Sequence, residues 1–187
     1  MMKSAHQNGF TLLEIIVVIG LIAAVSTLFI TNRGRFSSSQ TRVSFIAKLQ
    51  ALSRYAWQQA IITRQIHKIE FDFDKKKIEL TRMSSKSTKE QPQFEALKNS
   101  YVKSTLVIPK NIVVKNFLID GFDQMGSFVG RQTEAVHFFV IPRGLSQSVT
   151  INFIDTKDTL PSKKPRTFSL VLNPFNAQFA EYDTFQK

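Results

Sequence analysis

Cysteine does not occur among the 187 residues, so a disulfide framework, thiol catalysis and a cysteine zinc site are excluded. Histidine is scarce, with three copies. His6 lies near the N-terminus; His67 and His137 fall in stretches that read as strands. Glu134 and His137 make an E-x-x-H spacing, but on a strand that spacing points the two side chains to opposite faces, unlike the helical zinc arrangement. Both strand histidines read as neutral sheet residues. No nucleophile elbow, phosphate-binding glycine loop or paired-carboxylate motif occurs, so an enzyme is not expected. Proline is absent before Pro92, and nothing of that kind breaks the first half of the chain. Acids are also few, 14 against 25 Lys and Arg, for a formal charge of +11. Glu181 and Asp183 are two acids near the C-terminus, well short of the roughly 6 to 8 oxygen ligands that calcium takes. No metal and no cofactor are expected.

What is present first is a long apolar run. From Phe10 to Ile30 Glu14 is the one ionisable group, and a helix of that length spans roughly 30 Å, the hydrocarbon thickness of a bilayer. A carboxylate in such surroundings costs several kcal/mol unless it is paired or reaches the interface. Before the run stand nine residues, Met1 to Gly9, mostly polar or small after the two methionines, with Lys3 among them. An ordinary secretory signal, with Ala24-Val25-Ser26 as its cleavage site, fits less well because Glu14 interrupts its apolar core. A plain single-span anchor leaves Glu14 without a role.

The hexapeptide Gly9-Phe10-Thr11-Leu12-Leu13-Glu14, behind a short leader and ahead of an unbroken apolar run, resembles the class III signal of type IV pilins and type II secretion pseudopilins. The resemblance implies cleavage between Gly9 and Phe10 by a prepilin peptidase on the cytoplasmic face, N-methylation of Phe10, and an assembly role for Glu14. Physical chemistry accommodates these roles. Glycine lets the backbone enter a protease cleft without a side chain, and the freed amine is a cation that Glu14 of a neighbouring subunit can neutralise in a low-dielectric filament core. Lys and Arg counting would favour the opposite orientation, since Arg33, Arg35 and Arg42 follow the run; the resemblance implies a cytoplasmic leader and an exported C-terminal domain.

Beyond the run, 31–40 is polar and holds Gly34 and three serines, each lowering helix propensity by a few tenths up to ~1 kcal/mol, so a pliable joint is expected. Helical period then returns: Phe45, Leu49, Leu52, Ala56 and Ala60 form a stripe, widened by Ile46 and Trp57, with Arg42, Lys48, Arg54 and Gln58 opposite. The helix should run to about Thr63, and if continuous with the anchor it is ~80 Å long. From Ile69 the period becomes two. A hairpin is expected around Lys75-Lys76, an exposed loop over 83–100, strands at 105–108 and 112–119, and a loop marked by Gly121, Gly126 and Gly130. Two further hairpin-like units follow, 135–141 with 149–154 and 167–172 with 178–182. The domains read as leader 1–9, transmembrane helix 10–30, amphipathic continuation 31–63 and β-rich globular domain 64–187.

The fold class is therefore α+β, a long N-terminal helix on an antiparallel sheet; the resemblance implies that this is a pilin-like lollipop whose helix spans the membrane with its first half. The helix ending in Ala60-Ile61, the immediate hairpin, the strand-Pro-x-Gly-strand of 141–149 and the final hairpin resemble the H-type minor pseudopilins. That implies a subunit near the tip of a periplasmic pseudopilus, anchored once in the bacterial inner membrane, with the major and other minor pseudopilins, membrane lipid and a secreted substrate as partners. Lysine clusters support a second class, a minor type IV pilin active in pilus priming or DNA uptake: Lys75, Lys76 and Lys77; Lys163, Lys164 and Arg166; and Lys86, Lys89 and Lys98. Such patches hold phosphates by counterion release, although a solvated basic surface is the plainer reading. The arginine-rich C-terminal segment of DNA-capturing minor pilins is missing, so DNA ranks second as a partner.

Overall fold

Phe45, Leu49, Leu52, Ala56 and Ala60, the stripe read from helical spacing, are all buried, between 0% and 2% exposed. They lie on helix α1, Leu12–Thr63, in a computed structural model that describes residues 12–88, 91–97, 102–126, 134–160 and 163–187, with the side chains of 27–38 excepted. The backbone is helical through 31–40, where a joint was expected. The local cost of Gly34 and the serines is small against the cooperativity of a helix already nucleated on both sides. Arg64 at φ 53 ends the helix in the left-handed region, a common way to satisfy the last carbonyls.

The chain divides into two units, Met1–Ser38 and Ser39–Lys187. Of the first, the described part is helical from Leu12 onward. The second contains the rest of α1 and eleven described strands: β1 His67–Asp72, β2 Lys77–Met83, β3 Phe94–Ala96, β4 Thr105–Val107, β5 Ile112–Ile119, β6 Phe122–Asp123, β7 Ala135–Ile141, β8 Leu145–Ser146, β9 Val149–Thr159, β10 Pro165–Asn173 and β11 Gln178–Tyr182. They form two antiparallel sheets. In one the order is β3-β2-β1-β7-β8, with β4 also on β2; in the other it is β11-β10-β9-β5-β6. The α+β class, an N-terminal helix packed on antiparallel sheet, is what the structure has.

Alternation sets the inner faces. Ile69 and Phe71 of β1, Ile78 and Leu80 of β2, and Val136, Phe138 and Val140 of β7 are buried, while their strand neighbours are not. The two sheets meet through Phe71 and Phe117, edge to face at 5.0 Å between ring centroids. Phe45 of α1 stands edge-on to Phe153 at 5.9 Å, and Phe153 stacks on Phe168 at 5.0 Å. Helix and both sheets share one core, in which each aromatic pair adds about 0.5–1.5 kcal/mol beyond area burial.

The expected hairpins at 69–81 and 167–182 are present as β1–β2 and β10–β11. The strands expected at 105–108 and 112–119 are present and belong to different sheets: β4 joins β2 in one and β5 joins β9 in the other. Two expectations are corrected. Strand β7 turns back through Pro142-Arg143-Gly144 into the short β8, and β9 belongs to the opposite sheet. In both places the chain crosses between layers, a switch that alternation within each strand does not encode. The polar loop 83–100 contains β3, which pairs with β2. Arg42 also departs from the solvent-facing role expected of it. Its side chain is only 11% exposed, is ion-paired with Glu181 and sits 5.5 Å over the Phe168 ring, because the β10–β11 hairpin comes up beside that flank of the helix. Gly130, Lys89 and Lys98 lie outside the described residues.

Candidate processing and assembly site

Glu14 lies on α1, in the first turn of its described part. Its flanks are uncovered apolar side chains: Leu12 78%, Leu13 73%, Ile15 51%, Ile16 61% and Val18 48% exposed. Exposure on every side of a helix leaves several faces to be covered by lipid or by other helices. Gly9 and Phe10, the residues expected at the cleaved bond, lie outside the described residues. Among the described residues no helix is long and apolar enough to cross a membrane. The described side chains of the apolar run end at Ser26, and 27–30, which completes it in sequence, lies outside them.

The basic residues singled out from the sequence fall in two turns on different sheets. Lys75 and Lys76 lie in the β1–β2 turn and Lys77 begins β2; Lys163 and Lys164 precede β10 and Arg166 is within it. Acids accompany both groups. Lys75 pairs with Asp72 at 3.0 Å, Lys77 with Glu79 at 2.7 Å, and Arg166 with Asp158 and Asp183 at 3.0 Å each. The Lys75 amide and ammonium bonded to Asp72 hold its carboxyl below the usual range, and the same bond raises Lys75. Lys76, Lys163 and Lys164 make no ion pair among the described residues. Glu181 and Asp183 are engaged by Arg42 and Arg166, and no cluster of metal-ligating side chains occurs among the described residues.

His67 is fully buried, its Nδ1 donating to Gln65 O at 3.0 Å, and burial holds its imidazole below the ordinary value. His137 is lowered in the same way, by burial and then by Lys68. Sequence reading missed Asp155, fully buried and accepting bonds from Asn111 Nδ2 at 2.8 Å and from the Lys157 and Asp158 amides at 3.0 and 3.2 Å. An acid followed closely by two lysine or acid positions on a strand gave no signal that it points inward.

Residues 4–30 match the family described as the prokaryotic N-terminal methylation motif. The chain carries a methylation motif. That motif covers Gly9, Phe10 and Glu14 together with the apolar run. No curated protein matches the chain. Among solved structures it is similar to two of the minor pseudopilin EpsH from the type II secretion system of Vibrio cholerae. One aligns at TM-score 0.47 and 12% identity over 78% of this chain and 96% of that one. The other aligns at 0.48 and 14% over 84% and 99%.

Proposed function

We propose that the protein is a minor pseudopilin, a structural subunit of a type II secretion pseudopilus placed near its tip. The match of residues 4–30 to the N-terminal methylation motif carries this reading. A leader of residues 1–9 is removed by prepilin peptidase, Phe10 becomes the N-methylated N-terminus, 10–30 anchors the chain once in the inner membrane, and 64–187 forms the exported domain. In the membrane the exposed apolar face of α1 contacts lipid. On assembly it contacts helices of the major and other minor pseudopilins. Glu14 then meets the N-terminal amine of a neighbour. In a low-dielectric helix bundle an unmatched charge is costly and a matched one is not, so that pair favours one axial stagger over others.

Mass spectrometry of the protein from a host with prepilin peptidase tests the reading. A mature chain beginning at N-methylated Phe10 is expected. One beginning elsewhere, or retaining residues 1–9, overturns it. The DNA-uptake reading ranks below this one because carboxylates already occupy Lys75, Lys77 and Arg166.

A further inference from the structure

An exposed sheet edge offers backbone donors and acceptors to any extended chain, and folds cover or blunt such edges. The β11 edge is covered here: Gln50 of α1 accepts from Phe179 N at 2.9 Å, and Ser53 Oγ donates to Ala177 O at 2.8 Å. The β4 edge is not. Leu80 N donates to Ser104 O and Ile108 N to Lys76 O, both at 2.8 Å, and Leu106 stands opposite Ile78. Bonded and non-bonded pairs alternate in an antiparallel ladder, so Ser104, Leu106 and Ile108 bond to β2. Thr105 and Val107 turn their N–H and C=O groups the other way, and no described residue meets them. The strand has no charge of its own, and Val107 is 69% exposed.

A groove of about 450 Å³ runs along this edge, between Lys48, Ala51 and Leu52 of α1 and the segment Val102, Lys103 and Thr105. Its floor is apolar. Neither 41–63 nor 102–112 contains an acidic residue, whereas Lys48 and Lys103 stand along the walls. Four outward backbone groups, an apolar floor and one sign of charge describe the complement of an extended segment that alternates apolar and acidic side chains.

We propose that the open edge of β4 accepts an extended acidic segment of a partner protein as an added strand, with apolar side chains on Leu52 and Leu106 and carboxylates beside Lys48 and Lys103. The site is separate from Glu14 and the N-terminal run, so its failure and that of the filament reading are read in different experiments.

The test uses the full chain in detergent micelles, with amide hydrogen exchange as readout. The probes are short peptides alternating Val or Ile with Glu, and a matched set with Lys in place of Glu. The Glu peptides should slow exchange at Thr105 and Val107, and the Lys peptides should not. Lys48→Glu combined with Lys103→Glu should weaken binding about tenfold, and Val107→Pro, which removes one outward N–H, should abolish it. Both lysines are exposed, so the charge variant remains informative if Val107→Pro fails to fold. Protection by neither set, or by both equally, overturns the proposal. Protection of the same amides that grows with protein concentration and needs no peptide also overturns it, by assigning the edge to a second copy of this chain.

Discussion

The indole Nε1 of Trp57 donates a 2.7 Å hydrogen bond to the carbonyl oxygen of Gly144, tying α1 to the β7–β8 turn. Gly144 has φ +73, and a Cβ built there would lie 3.1 Å from Ile61 Cδ1. Positive φ and close approach both require glycine at this position. Gly144→Ala should lower unfolding free energy by about 1–3 kcal/mol, measured by urea denaturation of the full chain in detergent. Trp57→Phe should cost about 1 kcal/mol through the lost bond, and a Gly144→Ala variant as stable as the parent would contradict the account.

Acid should loosen the same head. His67 is held below 6.5 by burial first, with Arg82 adding repulsion, and its Nε2 is buried without a partner among the described residues. The unfolded chain therefore takes up a proton that the native chain resists. Stability is complete above about pH 6.5 and declines as pH falls below it. His137 shifts in the same direction and contributes to that slope. His67→Gln should reduce the fall in Tm between pH 7 and 5 relative to the parent, whatever it does to the absolute Tm; an unchanged slope would remove His67 as a cause.

Core deletions on α1 should be severe. Leu49 is 0% exposed, and Leu49→Ala should cost about 2–5 kcal/mol, whereas Lys48→Ala, one position away on the exposed side, should stay within about 0.5 kcal/mol. Equal effects on Tm would mean that the helix is not seated as described.

For assembly, Glu14→Ala should leave leader removal intact, seen as the same mature mass, and reduce recovery of the subunit in sheared filaments. Normal incorporation would falsify the registering role of the carboxylate. Gly9→Leu should instead leave an uncut precursor.

Much of the helix and the local hairpins was legible because their signals are local. The Phe45-to-Ala60 stripe and the 69–81 alternation depend only on neighbours a few residues away, and both side-chain sets are buried as spacing required. Illegible were changes of sheet such as those between Val107 and Ile112 and between Ser146 and Val149. Each strand there alternates normally, and only the distant partner, β2 or β9, decides the layer. Arg42 was misjudged for the same reason: its partner Glu181 is 139 residues away. Of the candidate site, Gly9, Phe10 and Glu14 were visible as a contiguous motif. The β4 edge was not, because an open edge is a property of pairing rather than of residue type.

Asn152 and Ser169 face each other on adjacent central strands and are buried, 4% and 0% exposed. The tail supplies their other partners: Asn152 Nδ2 donates to Gln186 O at 3.0 Å, Gln186 N returns a bond to Asn152 Oδ1 at 3.1 Å, and Ser169 Oγ reaches Thr184 O at 2.8 Å. Two interior polar side chains thus depend on a segment that follows the last strand. Until 184–186 docks, these groups lack those bonds, so this short segment acts as a latch on the interior of the sheet.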